Sequence, residues 1–225
     1  DEAVADLCQA RGYPCFRGDQ QDVLDRYYQA ARAFKAESIV RITADCPIID
    51  PQVIDETVQI AQSSIVSRQS KIDFAATRLP PPWGRTYPIG LDVEVCTFAA
   101  LERAWEEAAE PYQREHVMPY LYEGVIFTAE SHPLNTVHCS LKTGSTPHSF
   151  HVALLNHDPD YGALRWTVDT PEDLELIRQV YARFDGRDDF GWHEVLALFE
   201  CEPELAQINA AIKAKDLTES AKRIT

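Results

Sequence analysis

With 225 residues, 45% of them hydrophobic, the chain has the size and composition of one globular domain with a buried core. Its formal net charge of −15 excludes sequence-independent binding to nucleic acid or to an anionic membrane surface, since both need clustered Lys and Arg. The six cysteines are scattered singly, which predicts reduced thiols in the cytoplasm, and no apolar run approaches the roughly 18 residues of a membrane span.

Residues 2–11 place Val4, Leu7 and Cys8 on one helical face, and Gly12 suits the position just past a helix end. Residues 13–16 read as a short strand. Gly18-Asp19 then opens a helix of about 15 residues, with Val23, Leu24, Tyr27, Tyr28, Ala31 and Phe34 at three-and-four spacing. A β-branched run follows, Ile39-Val40-Arg41-Ile42-Thr43-Ala44-Asp45-Cys46-Pro47, and delivers Asp45 into a proline-bounded loop. Asp50 caps and Pro51 begins the next amphipathic helix, through Val53, Ile54, Val58 and Ala61.

Residues 72–77 read as a weaker strand. The proline-rich loop over 79–90 carries Trp83 and Tyr87, read as exposed aromatic surface, and a homodimer is expected to cover it. From Leu91 to Cys96, Val93 and Val95 alternate with Asp92 and Glu94, which puts both acids on one strand face, either solvated or in contact with a ligand. Thr97 caps a helix through Leu101, Ala104 and Trp105. A second helix over 112–122 carries Arg114, Glu115 and His116, and Pro119 perturbs it. His116 has no His-Glu-x-x-His partner, so a zinc protease site is not supported, and His148 and His151 read as surface imidazoles.

Residues 134–141 and 150–155 read as strands, antiparallel to each other. The chain then repeats its earlier construction in Leu164-Arg165-Trp166-Thr167-Val168-Asp169-Thr170-Pro171, a short strand ending in Asp with proline two residues on. Thr170 caps the helix that follows, Pro171 takes its first position, and Glu172 and Asp173 favour its positive end. Leu174, Ile177, Val180 and Tyr181 form its predicted buried stripe. From Trp192 onward the tail reads as helical through Val195, Leu196, Leu198, Phe199, Leu205 and Ile208, and it is expected to fray past Lys213.

Helices alternating with short buried strands predict a single α/β domain with a mostly parallel central sheet, helices on both faces and a helical C-terminal extension. In such a sheet the carboxyl ends of the strands form the ligand crevice, where Mg²⁺ is held by one or two carboxylates plus substrate phosphates. Asp45 and Asp169, each at a strand end, fit that role. The alternative is that each only closes its strand with an Asx-type hydrogen bond before the proline turn.

Six blocks, taken in order, resemble one family. They are Phe16-Arg17-Gly18-Asp19, Asp22-Val23-Leu24-Asp25-Arg26-Tyr27-Tyr28, Val40-Arg41-Ile42-Thr43-Ala44-Asp45-Cys46-Pro47, Gly90-Leu91-Asp92-Val93-Glu94-Val95, Arg114-Glu115-His116-Val117 and Arg165-Trp166-Thr167-Val168-Asp169-Thr170-Pro171-Glu172-Asp173-Leu174. Together they resemble the spore-coat polysaccharide type of cytidylyltransferase, related to the acylneuraminate and deoxy-manno-octulosonate cytidylyltransferases. The resemblance implies a GT-A-like nucleotidyltransferase fold. It also implies a reaction in which the oxygen of a sugar acid or related sugar attacks the α-phosphorus of CTP, releasing pyrophosphate and giving a CMP-sugar for cell-surface or spore-coat polysaccharide.

The same resemblance implies Mg²⁺ at Asp45 and Asp169, and it supports Arg41, Asp92, Glu94, Arg114, His116 and Arg165 as sugar or phosphate contacts. Relatives open with a strand and a Gly- and Arg-containing loop ending in Lys, and this chain begins after it. The expectation is therefore one nucleotidyltransferase-like domain over 1–225 that lacks its first strand and phosphate-binding loop and is inactive in this form. Ala44 and Ile89 stand where relatives usually carry Gly and Arg. Two rival readings are a non-catalytic binding or assembly module and a glycosyltransferase of similar fold. The second usually shows an Asp-x-Asp motif, where this chain has Asp45-Cys46-Pro47.

Overall fold

The computed structural model describes residues 2–63, 71–133 and 138–212. Its centre is a six-stranded sheet of β1 (Ser38–Arg41), β2 (Phe74–Ala76), β3 (Glu94–Thr97), β4 (Ile126–Pro133), β5 (Cys139–Ser145) and β6 (His151–His157), in the order β1-β3-β2-β6-β5-β4. The α/β class is as expected, but the mostly parallel sheet is not. Among the six strands β2 and β6 pair in parallel, while β1–β3, β2–β3, β5–β6 and β4–β5 are antiparallel. The reason lies in the connections. A parallel neighbour needs a crossover, usually helical, whereas β3 is reached from β2 through a helix-free loop and runs back between β1 and β2.

The pleat sorts the strand residues onto two cores. Phe74, Ala76, Cys96, Val152 and Leu154 face one side, against Leu24 and Ala31 of α2 (Val23–Phe34), Leu101 and Ala104 of α4 (Phe98–Glu107), and Leu121 of α6 (Pro119–Tyr122). Ala75, Val93, Val95, Ala153 and Leu155 face the other, against Val53 of α3 (Pro51–Gln62), Leu176 of α7 (Pro171–Arg183) and Val195 of α8 (Trp192–Cys201). Each fully buried leucine among these contributes about 1.5–3 kcal/mol by leaving water. No helix among the described residues is long and apolar enough to cross a membrane, and all six cysteines are free thiols.

Local signals placed most helices. Asp22, Asp50, Thr97 and Thr170 each accept a backbone N–H of the first turn, and Pro51 and Pro171 open α3 and α7. Other expectations differ. The first helix, α1 (Glu2–Arg11), forms but buries no residue, and residues 13–16 are exposed and pair with no strand among the described residues. The helix expected over 112–122 is broken into α5 (Pro111–His116) and α6, with Val117 at φ 71 between them. β4 was not foreseen.

In α7 the buried stripe is Asp173, Leu176, Ile177 and Val180, and Leu174 points outward. Tyr87 is only 1% exposed and Trp83 packs against the first core, so the aromatic surface behind the homodimer expectation is turned inward. Residues 134–137 and the tail beyond Ile212 lie outside the described residues.

Candidate active site

The carboxyl ends of β1 and β2 and the amino end of β3 share one edge of the sheet, since Glu94 stands opposite both Arg41 and Ala76. Three loops leave or pass this edge and are laced together by backbone. Ile89 N–H donates to Leu164 O at 2.8 Å and Trp166 N–H to Ile89 O at 2.7 Å, while Val168 N–H donates to Asp45 O at 2.8 Å. Thr167 Oγ1 adds a second bond to Asp45 O at 3.0 Å, and Tyr181 Oη of α7 holds Pro47 O at 2.9 Å. Gly90 makes the close approach possible. Its φ is +110, and a Cβ there would stand 2.8 Å from the Trp166 carbonyl carbon and oxygen.

The lacing brings Asp45 and Asp169 into adjoining segments, although the strand expected over 164–168 does not form and only Arg165 bridges there, to Ile89. Asp169 is fixed further. Arg165 Nη2 donates to Asp169 Oδ2 at 2.7 Å and to Asp173 Oδ2 at 2.8 Å, and Arg165 Nε donates to Asp173 Oδ1 at 2.9 Å. Burial alone would raise the carboxyl pKa of Asp173. The Arg165 fork, Asn209 and the Asp169 amide outweigh that and hold it well below the ordinary carboxylate range.

On the α2/α5 side of the edge, Arg41 Nη1 donates to Glu94 Oε2 at 2.5 Å, and both side chains are largely buried. Burial works against the Arg41 charge, but Glu94 and the neighbouring Tyr27 more than offset it. His116 stands in the field of Arg41, Arg78 and Glu94. Desolvation lowers its pKa below 6.5, and its Nε2 is buried without a hydrogen-bond partner among the described residues. Arg85 Nη1 pairs with Asp92 Oδ1 at 2.5 Å, and Asp92 in turn acts on the Cys46 thiol next to Asp45. That thiol is pushed up to about 11, chiefly by burial.

Of the residues expected from sequence, Asp45 joins Asp169, and Arg41, Glu94 and His116 form a second group. Asp92 lies beside Cys46. Arg165 does not face open solvent but serves two aspartates. Arg114 is likewise occupied: its Nε and Nη2 hold Asp22, the N-cap of α2, and its Nη1 holds Trp105 O at 2.7 Å. Sequence reasoning missed Arg78, Arg85 and the central place of Asp173. Arg78 and Arg85 form a bridge across the proline-rich loop, and Arg78 makes no ion pair among the described residues. Their one sequence signal was an arginine just before that loop and another within it.

Among the described residues no three His, Cys, Asp or Glu side chains gather as a ready-made metal cage. Asp45 and Asp169, on segments joined by backbone, are hard oxygen donors of the kind that Mg²⁺ takes beside waters and substrate phosphates.

A cytidylyltransferase family model matches residues 1–183. The chain belongs to the cytidylyltransferase family. It is 31% identical, over 97% of its length, to an uncharacterized protein of Methanocaldococcus jannaschii, of which it covers 76%. It is also 26% identical, over 92% of its length, to the spore coat polysaccharide biosynthesis protein SpsF of Bacillus subtilis, of which it covers 72%. A solved structure of a cytidylyltransferase from Leptospira borgpetersenii serovar Hardjo-bovis matches it with a TM-score of 0.72 at 25% identity, over 96% of this chain and 76% of that one. The protein is thus a nucleotidyltransferase of the SpsF type, and the glycosyltransferase reading is set aside.

Proposed function

We propose that the protein transfers the cytidylyl group of CTP to a sugar hydroxyl, giving a CMP-sugar and pyrophosphate for a cell-surface polysaccharide. The observation that supports this reading is the Val168–Asp45 backbone bond, which joins the segment of Asp45 to the segment that carries Asp169 in a chain of the cytidylyltransferase family. The polysaccharide part is supported by the name of the Bacillus relative.

Asp45 and Asp169 would hold Mg²⁺, which when bound neutralises charge on the phosphates. The chain's own work is positioning. Arg78, without a carboxylate partner among the described residues, and Arg85 offer guanidinium forks to phosphate oxygens. Asp92 and Glu94, each anchored by an arginine, keep carboxylate oxygens for sugar hydroxyls. His116, whose burial favours the neutral imidazole, keeps a buried Nε2 with no partner among the described residues, which a sugar hydroxyl would satisfy. The expected partners are CTP and the sugar, in the cytoplasm, where six free thiols would stay reduced. The expected homodimer now rests on a different surface: β4 is an edge strand whose Ile126 is exposed.

The test is a pyrophosphate-release assay of the full-length protein with CTP, UTP, ATP and GTP against a panel of sugar acids and neutral sugars. Release that requires both CTP and a sugar is expected. Preference for another nucleotide, or CTP consumption indifferent to the sugar, would overturn the reading.

A further inference from the structure

We propose that Asp173 is a positioning residue that aims the Asp169 carboxylate through Arg165, and that Asn209 of the C-terminal segment locks this relay from behind. The proposal rests on the assignment of Asp169 as a metal ligand. Asp173 is 0% exposed, yet it lies in the first turn of α7, where an acid usually needs only to cap. Capping accounts for one small part of its contacts. Its Oδ2 accepts the N–H groups of both Asp169 and Thr170 at 3.1 Å and Arg165 Nη2 at 2.8 Å, and its Oδ1 accepts Arg165 Nε at 2.9 Å and Asn209 Nδ2 at 2.8 Å.

Asp169 is thereby held twice, at its backbone N–H by Asp173 and at its side chain by the guanidinium that Asp173 orients. The Asp169 side chain is 41% exposed and would otherwise rotate. Arg165 claims its Oδ2 and leaves Oδ1 without a partner among the described residues. The same amide of Asn209 also donates to Arg165 O at 3.0 Å, so backbone and guanidinium of Arg165 are fixed together. A buried charge is expensive to place, and the arrangement makes sense where a ligand oxygen must be presented in one orientation.

The experiment uses the intact chain with CTP and Mn²⁺ as a paramagnetic stand-in for Mg²⁺, with free Mn²⁺ read by electron paramagnetic resonance. Asp169→Asn is expected to lose the CTP-dependent Mn²⁺ site. Asp173→Asn and Arg165→Lys are expected to weaken it by roughly 10- to 100-fold, with CTP affinity in the absence of divalent cation unchanged. Arg165→Lys keeps the buried charge but not the fork, and it carries the test if Asp173→Asn does not fold. Wild-type Mn²⁺ affinity in the relay variants, with the site lost in Asp169→Asn, would overturn the relay and leave the metal reading standing. A wild-type site in Asp169→Asn, or no site in the unaltered chain, would overturn both.

Discussion

Val168 N–H donates to the carbonyl of Asp45 at 2.8 Å, so the loop after β1 and the segment entering α7 behave as one unit. The neighbouring Thr167 bond to the same carbonyl spans 122 residues of sequence. Both contacts use the Asp45 backbone, which separates what its carboxylate does from what holds it in place. Asp45→Asn and Asp169→Asn should therefore lower Mg²⁺-dependent pyrophosphate release by about 100-fold or more. Their thermal midpoints should stay within about 4 °C of the wild type, the equivalent of about 1 kcal/mol. Near wild-type turnover in both variants would remove them from the chemistry.

Gly90 tests the lacing itself. Alanine there meets both a φ of +110 and the Trp166 carbonyl at 2.8 Å, with Thr167 N at 3.0 Å. The two segments must part, and the Ile89–Trp166 pairing with them. Gly90→Ala is expected to cost about 2–3 kcal/mol in urea unfolding and to reduce turnover beyond that loss, because Asp169 lies on the displaced segment. An unchanged unfolding midpoint would show that the approach is looser than this.

His116 gives a pH signature with a definite sign. Its pKa is lowered in the folded chain, chiefly by burial, with Arg41 and Arg78 pushing the same way against Glu115 and Glu94. Below 6.5 the unfolded chain takes up a proton that folded His116 still refuses, so this group's contribution to stability is lost as pH falls from 6.5 toward the folded value. His193 is shifted in the same direction, so the effect is read as a difference between variant and wild type. His116→Gln should flatten the stability loss in that window, and the His116 ring should titrate below 6.5 by nuclear magnetic resonance. Titration at or above 6.5 would count against a neutral imidazole in the site.

Arg114 was expected among the substrate contacts, and the structure gives its donors to Asp22 and to the Trp105 carbonyl. Arg114→Lys loses the fork and should destabilise by about 1–3 kcal/mol, with KM for CTP and sugar within about twofold of wild type. Unchanged stability with a clearly raised KM would return Arg114 to the binding site.

Features set by neighbouring residues were readable from the sequence. Asp50-Pro51 and Thr170-Pro171 marked helix starts, and Asp45 and Asp169 stood out because each ends a β-branched run before a proline turn. What depended on distant partners was not. Nothing local in Glu94-Val95-Cys96-Thr97 shows that β3 runs back between β1 and β2, and with that the parallel expectation failed. Trp83 and Tyr87 read as exposed because a proline-rich loop usually is, whereas here the loop buries Tyr87 and partly buries Trp83 against the first core. Asp173 looked like one more acid at a helix start. Its burial arises because Arg165 and Asn209, 8 residues before it and 36 after, converge on it.

The most direct test is an anomalous-scattering map of a crystal of this protein grown with CTP and Mn²⁺. One Mn²⁺ peak is expected in contact with a carboxylate oxygen of both Asp45 and Asp169, with phosphate oxygens of the nucleotide completing its shell. A nucleotide-bound peak that touches neither aspartate would contradict the account.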